Sequence, residues 1–172
     1  MPTNDYLKRI LLSRVYDVAV ETALEPAVTL SRRLGNKVLL KREDTQPVFS
    51  FKIRGAYNKM VQLSREELSR GVIAASAGNH AQGVALAAAK NHMKALICLP
   101  DGAPISKVEA TKSYGAEVCM VKGVYDDAYN KAVELQKEHN YTFVHPFDNE
   151  NVIAGQGTIG LEILDQLPDV DA

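Results

Sequence analysis

From Gly71 onward, short β-prone runs alternate with longer segments of helical period, and this alternation restricts the fold more than any other feature of the chain. The strands read as Val72 to Ala75, Ala95 to Leu99, Ala116 to Val121 and Tyr141 to Val144. Between them the spacing predicts helices at about Asn79 to Asn91, Pro104 to Tyr114 and Asp126 to His139. A strand followed by a helix and another strand closes as a right-handed crossover onto a parallel sheet. The expected fold class is therefore α/β, a parallel sheet of βαβ units with flanking helices.

The segments outside this run are less regular. Leu7, Ile10, Leu11 and Val15 fall near helical spacing, so Asn4 to about Val20 reads as a packing helix with Asn4 as its cap. Val38 to Leu40 reads as a short buried strand that ends in Lys41-Arg42-Glu43-Asp44, and Pro47 marks a loop. Ser50 is the expected N-cap of a helix from about Phe51 to Leu63. A last helix, about Val152 to Gln166, offers Ile153, Ile159, Ile163 and Leu164 for burial. A helix after a parallel strand normally delivers another strand. The expectation is that the polypeptide is a fragment of a longer one or that this helix packs on a partner.

Composition excludes several classes. The 172 residues are 46% hydrophobic and 24% charged with a net charge of -1, the profile of a globular protein with no field favouring nucleic acid or an anionic membrane. The apolar stretch near the start, Ile10 to Leu12, is too short for a signal core or a membrane span, so a cytoplasmic location is expected. Cys98 and Cys119 lie in apolar strands and read as buried free thiols. The four histidines show no ligand spacing, and no metal is expected.

Three stretches are candidates for chemistry. Ser76-Ala77-Gly78-Asn79-His80 stands where a strand of small apolar residues turns into an alanine-rich helix. Such a turn can present backbone N–H groups and a helix N-terminus to a carboxylate or phosphate, and it can equally be a purely steric turn. It matches neither the dinucleotide nor the P-loop pattern. In Ser50-Phe51-Lys52-Ile53-Arg54-Gly55-Ala56, Lys52 falls in the first turn of a helix. The helix dipole there disfavours its charged form, which is what a Schiff-base lysine requires, and Arg54 could add a like charge. A solvated surface lysine is the alternative. The Lys41 to Asp44 run reads as a solvated loop or a salt-bridged edge.

Taken together, K-R-E-D-x-Q-P-V-x-S-F-K-x-R-G-A-Y (Lys41 to Tyr57), S-A-G-N-H-A-Q-G (Ser76 to Gly83), the segment from Pro104 ending in G-A-E-V at Val118, and P-F-D…V-I-A-G-Q-G-T (Pro146 to Thr158) resemble the threonine ammonia-lyase (threonine dehydratase) family. The resemblance covers essentially the whole chain. It implies the fold-type II architecture of pyridoxal 5'-phosphate (PLP) enzymes, similar to the tryptophan synthase β chain. Lys52 is then the cofactor-bearing lysine and the base that removes the Cα proton. Phe51 lies close to the cofactor ring, Asn79 bonds the ring hydroxyl, and Ser76, Ala77, Gly78, Asn79 and His80 line the substrate carboxylate pocket. The implied reaction is β-elimination of L-threonine, and of L-serine, to a keto acid and ammonia, with 2-oxobutanoate from threonine.

Serine racemase, a relative of the same fold, carries a serine where this chain has Ala77, so elimination is favoured over racemisation. The K-R-E-D…Q-P-V wording is closer to the biosynthetic, isoleucine-pathway branch. Two departures stand out: Glu21-Thr22-Ala23-Leu24 in place of E-T-P-L, and Asn149-Glu150 after P-F-D. The family's phosphate loop, pyridine-nitrogen partner and regulatory domain follow beyond the equivalent of Ala172. The implied division is 54–151 as the small domain, with 1–53 and 152–172 as an incomplete part of the large one. The expectations are thus an isolated chain without activity and a longer form that is a homo-oligomer. A non-catalytic amino-acid-binding or assembly module, and another fold-type II reaction such as serine racemisation, stay open as alternatives.

Overall fold

The computed structural model describes residues 3–171, with side chains from Asp5 onward. The chain opens with α1 (Thr3–Leu11), β1 (Leu24–Pro26), α2 (Val28–Leu34) and β2 (Leu39–Lys41), and β1 pairs antiparallel with β2. A 3-10 turn at Glu43–Thr45 leads to α3 (Lys52–Met60) and α4 (Arg65–Arg70). The alternating part follows as β3 (Val72–Ala75), α5 (Asn79–Lys90), β4 (Ala95–Pro100), α6 (Ile105–Ser113), β5 (Glu117–Val121), α7 (Tyr125–His139), β6 (Thr142–Phe143) and α8 (Glu150–Gln166).

The four later strands form one parallel sheet in the order β5-β4-β3-β6. Every residue of β3 is buried, because both faces of the sheet are covered. Val72 and Ala74 face the layer that holds α3, α5 and α6, whereas Ile73 and Ala75 face α7 with Cys98, Ala128 and Ala132. The period-2 alternation of a strand thus feeds two separate cores. The chain steps outward from β3 to β5 and then returns, over α7, to place β6 on the other side of β3. The strand order reverses at that point, and the crevice at the carboxyl ends of β3 and β6 is where α/β sheets of this kind bind ligands.

Two glycine contacts position α3 over this crevice. A Cβ on Gly83 of α5 would stand 3.1 Å from the Lys52 carbonyl group. One on Gly155 of α8 would lie 2.7 Å from the Arg54 carbonyl oxygen and 2.8 Å from the Gly55 Cα. Only glycine lets these three helices approach so closely.

The sheet follows the sequence pattern; the opening does not. Helix α1 ends at Leu11, and Leu7 and Leu11 are 50% and 64% exposed, so its exposed face is not the packing surface expected to Val20. The helix begins before Asn4, whose side chain lies outside the described residues. Ser50 is not the N-cap of α3: Phe51 is, without a side-chain cap, although the Ser50 hydroxyl accepts a long 3.4 Å bond from the Lys52 N–H. Of the apolar residues expected to bury α8, Ile153 and Leu164 are exposed. The helix packs instead through Val152, Ala154, Gly155, Thr158 and Glu162. Cys98 is buried, but Cys119, opposite it in register, is only half-buried. Among the described residues no helix is long and apolar enough to cross a membrane.

Candidate active site

Lys52 opens α3, and its side chain reaches across to the turn after β6, where Nζ donates to the Pro146 carbonyl at 2.7 Å. It passes beside Phe51, with Nζ 5.3 Å from the ring centroid. Burial lowers the lysine pKa from its ordinary value, the direction that frees the amine as a nucleophile. The expectation that Arg54 would contribute by like charge is overturned. Its guanidinium points the opposite way and is neutralised by carboxylates.

That guanidinium is wholly buried and lies between two acids. Nη2 donates to Glu43 at 2.7 Å and to Glu162 at 3.0 Å, and Nη1 to Thr158 at 3.1 Å. Lys41 is buried too, 2.7 Å from Glu162, and Thr22 and Gln46 bond Glu43. The Lys41 to Asp44 run is therefore split: Lys41 and Glu43 face inward, while Arg42 and Asp44 pair at the surface. Two positive and two negative groups balance, so the cluster is electrically neutral. It braces α3, the helix that Lys52 opens, against α8. Gln46 also bonds the backbone of Val20, and the Pro47 carbonyl accepts from Tyr114. Two residues past Pro47, Phe49 takes a positive φ of 56°, a rare conformation for a bulky residue and the kind of strain that gathers at functional loops.

The Ser76 to His80 turn lies at the carboxyl end of β3. The buried Ser76 hydroxyl accepts from the N–H groups of Gly78 and Ala81, each at 3.1 Å, and so braces the turn from within. Among the described residues no protein acceptor takes the amides of Ala77, Asn79 and His80. A Cβ on Gly78 would meet nothing closer than Lys107 Cγ at 3.8 Å, so the space beside these donors is open. Ala77 and Asn79 are exposed there.

His80 is buried and bolts this turn to β6, its Nε2 lying 2.9 Å from the Val144 carbonyl. A carbonyl can only accept, so Nε2 carries the hydrogen and Nδ1 presents a lone pair that has no partner. Burial, chiefly, holds the ring neutral with a pKa of about 4. His80 thus ties the β3 turn to Val144, and Lys52 bonds the carbonyl of Pro146 two residues further on, which sets the amine at the switch point between the β3 turn and the end of β6.

Sequence reasoning missed Lys107, which donates to Asn79 Oδ1 at 2.8 Å. Because Lys107 can only donate, it orients the Asn79 amide so that Nδ2 remains free as a donor. The helical spacing of α6 places Lys107 one turn in, but no local pattern ties it to a residue 28 positions earlier. The structure thus gathers Lys52, Phe51 and the β3 turn on one edge of the sheet. A half-buried amine, three free amides and an open space suit an aldehyde with a nearby carboxylate or phosphate.

A parallel α/β sheet whose strand order reverses beside a half-buried lysine has the architecture of α/β enzymes that bind a ligand at the switch point. The chain belongs to the family described as pyridoxal-phosphate dependent enzyme, whose model matches residues 15–172. Within that family it is 59% identical over 169 residues to an L-threonine dehydratase biosynthetic IlvA of Burkholderia multivorans, covering 96% of this chain and 33% of that protein. The processed form of threonine deaminase isoform 2 from Solanum lycopersicum superposes with a TM-score of 0.91 at 51% identity, over 97% of this chain and 49% of that one. Maize serine racemase superposes at 0.90 with 34% identity, over 97% and 50%. The chain spans about a third of the length of the curated relatives it matches.

Proposed function

We propose that this chain serves a PLP-dependent L-threonine ammonia-lyase, acting also on L-serine, in isoleucine biosynthesis. The observation that carries the reading is the half-buried Lys52 amine bonded to Pro146 just past β6, at the switch point where the β3 turn, tied to Val144 by His80, leaves three amides without a protein acceptor among the described residues. Relatives named threonine dehydratase, at 51 to 59% identity, support the same assignment.

Bound PLP supplies an electron sink that makes the substrate Cα–H bond acidic. Lys52 would hold the cofactor through its amine, and its Nζ, once freed by the incoming substrate, would serve as the base for the Cα proton. The amides of Ala77, Asn79 and His80 receive the substrate carboxylate at the amino end of α5. Asn79 Nδ2, left free by Lys107, would donate to the ring hydroxyl, and Phe51 would flank the cofactor ring. His80 stays neutral and keeps the β3 turn fixed to β6. At the position where a serine racemase has a serine, Ala77 offers no proton, which favours elimination over racemisation. We further read 54–151 as the small domain, with 1–53 and 152–172 belonging to the large one. The separation of the β1–β2 pair from the four-stranded sheet supports that division.

The test is keto-acid formation from L-threonine by the holoenzyme. We expect 2-oxobutanoate from the native protein and a loss of at least about a hundredfold in Lys52→Ala, the scale of a missing acid–base group. D-serine from L-serine, with no keto acid, would transfer the assignment to racemisation.

A further inference from the structure

The turn that follows β6 is closed by a side chain rather than by its own backbone. His145 Nδ1 accepts from the Phe147 N–H at 3.3 Å and from the Asp148 N–H at 2.7 Å. Within this turn, Pro146 presents the carbonyl that receives Lys52. A nitrogen that accepts cannot also carry a hydrogen, so the ring is neutral and protonated on Nε2. Four groups face it: Lys52 from α3, His80 from α5, Tyr129 from α7 and Asp148 in the turn itself. Burial lowers the His145 pKa against the opposing pull of Asp148, which keeps the acceptor available at neutral pH.

A neutral amine has two hydrogens and one lone pair. When one hydrogen is held by a fixed carbonyl, the lone pair has fewer directions in which to point. We infer that His145 is a positioning residue for Lys52: its Nδ1 closes the turn that fixes the Pro146 carbonyl, and that carbonyl orients the amine. The inference rests on the reading of Lys52 as the reactive amine. His145 touches neither substrate nor cofactor in this account. Its ring also packs edge-to-face on Phe147, with centroids 4.6 Å apart, so packing is the rival explanation and the experiment must separate the two.

Asparagine and phenylalanine separate them. An asparagine side-chain oxygen accepts from the amides two and three residues on, as in an Asx-turn, but has no ring. Phenylalanine keeps the ring and loses the acceptor. In the protein, hydrogen exchange at Phe147 and Asp148 reads the turn, and borohydride trapping at timed intervals after PLP addition reads capture by Lys52. We expect H145N to keep the amides protected and to capture PLP within about twofold of the native rate. In H145F both amides should exchange faster and capture should slow by about tenfold. Native capture in H145F, or slow capture in H145N with protected amides, overturns the inference. If the native protein forms no adduct at Lys52, the functional reading fails. Amide protection in H145N and its loss in H145F still report whether His145 closes the turn.

Discussion

At residue scale, the chemistry of the site comes from side chains held in the wrong environment for their charged forms. Lys52 is shifted down by burial and His80 more strongly so. The His80 shift has a sign that can be checked. Folded His80 titrates at about 4 against an ordinary 6.5, so between those values the unfolded chain binds a proton that the folded one refuses. The stability it contributes is complete above pH 6.5 and is lost as pH falls toward 4, by up to about 1.4 kcal/mol per pH unit. Urea unfolding across this range should show that slope, and His80→Gln, which can still donate to Val144, should flatten it. Lys107 acts more gently because its bond to Asn79 is exposed. In Lys107→Met the dissociation constant for PLP should rise about fivefold, the worth of roughly 1 kcal/mol, as measured by equilibrium titration.

The elements show where a pattern suffices and where it fails. Strand β3 and helix α5 are legible almost to the residue, since Val72 to Ala75 is continuously apolar and the turn at Ser76 to Gly78 interrupts it. Helix α4 was legible in principle: Ser64 and Glu67 form a reciprocal capping box, the S-x-x-E signature that reading by apolar spacing passes over. Strand β1 and helix α2 left little trace, because β1 is three residues defined by pairing with β2 and α2 buries no residue. The ion cluster was hidden for a different reason. Arg54 meets partners 11 and 108 positions away, and nothing local distinguishes a buried guanidinium from a surface one. Removing it leaves Glu43 and Glu162 with Lys41 alone. Arg54→Met should cost about 3 to 5 kcal/mol, seen as a lower urea midpoint.

On the scale of the whole molecule, the alternation of strands and helices dictates a parallel sheet but not its order. Placing β6 beside β3 rather than beyond β5 creates the switch point, and that choice depends on α7 crossing back over the sheet. The motifs Ser76 to Gly83 and Lys41 to Tyr57 were legible as words. The sheet order is what makes them neighbours: one follows β3, and the other sends its lysine to the residue after His145 at the end of β6. The proposed activity therefore depends on one covalent encounter. The protein mixed with PLP, reduced with borohydride and mapped by peptide mass spectrometry should carry the pyridoxyl group on Lys52. A label on Lys41, Lys107 or another lysine, or none at all, would contradict it.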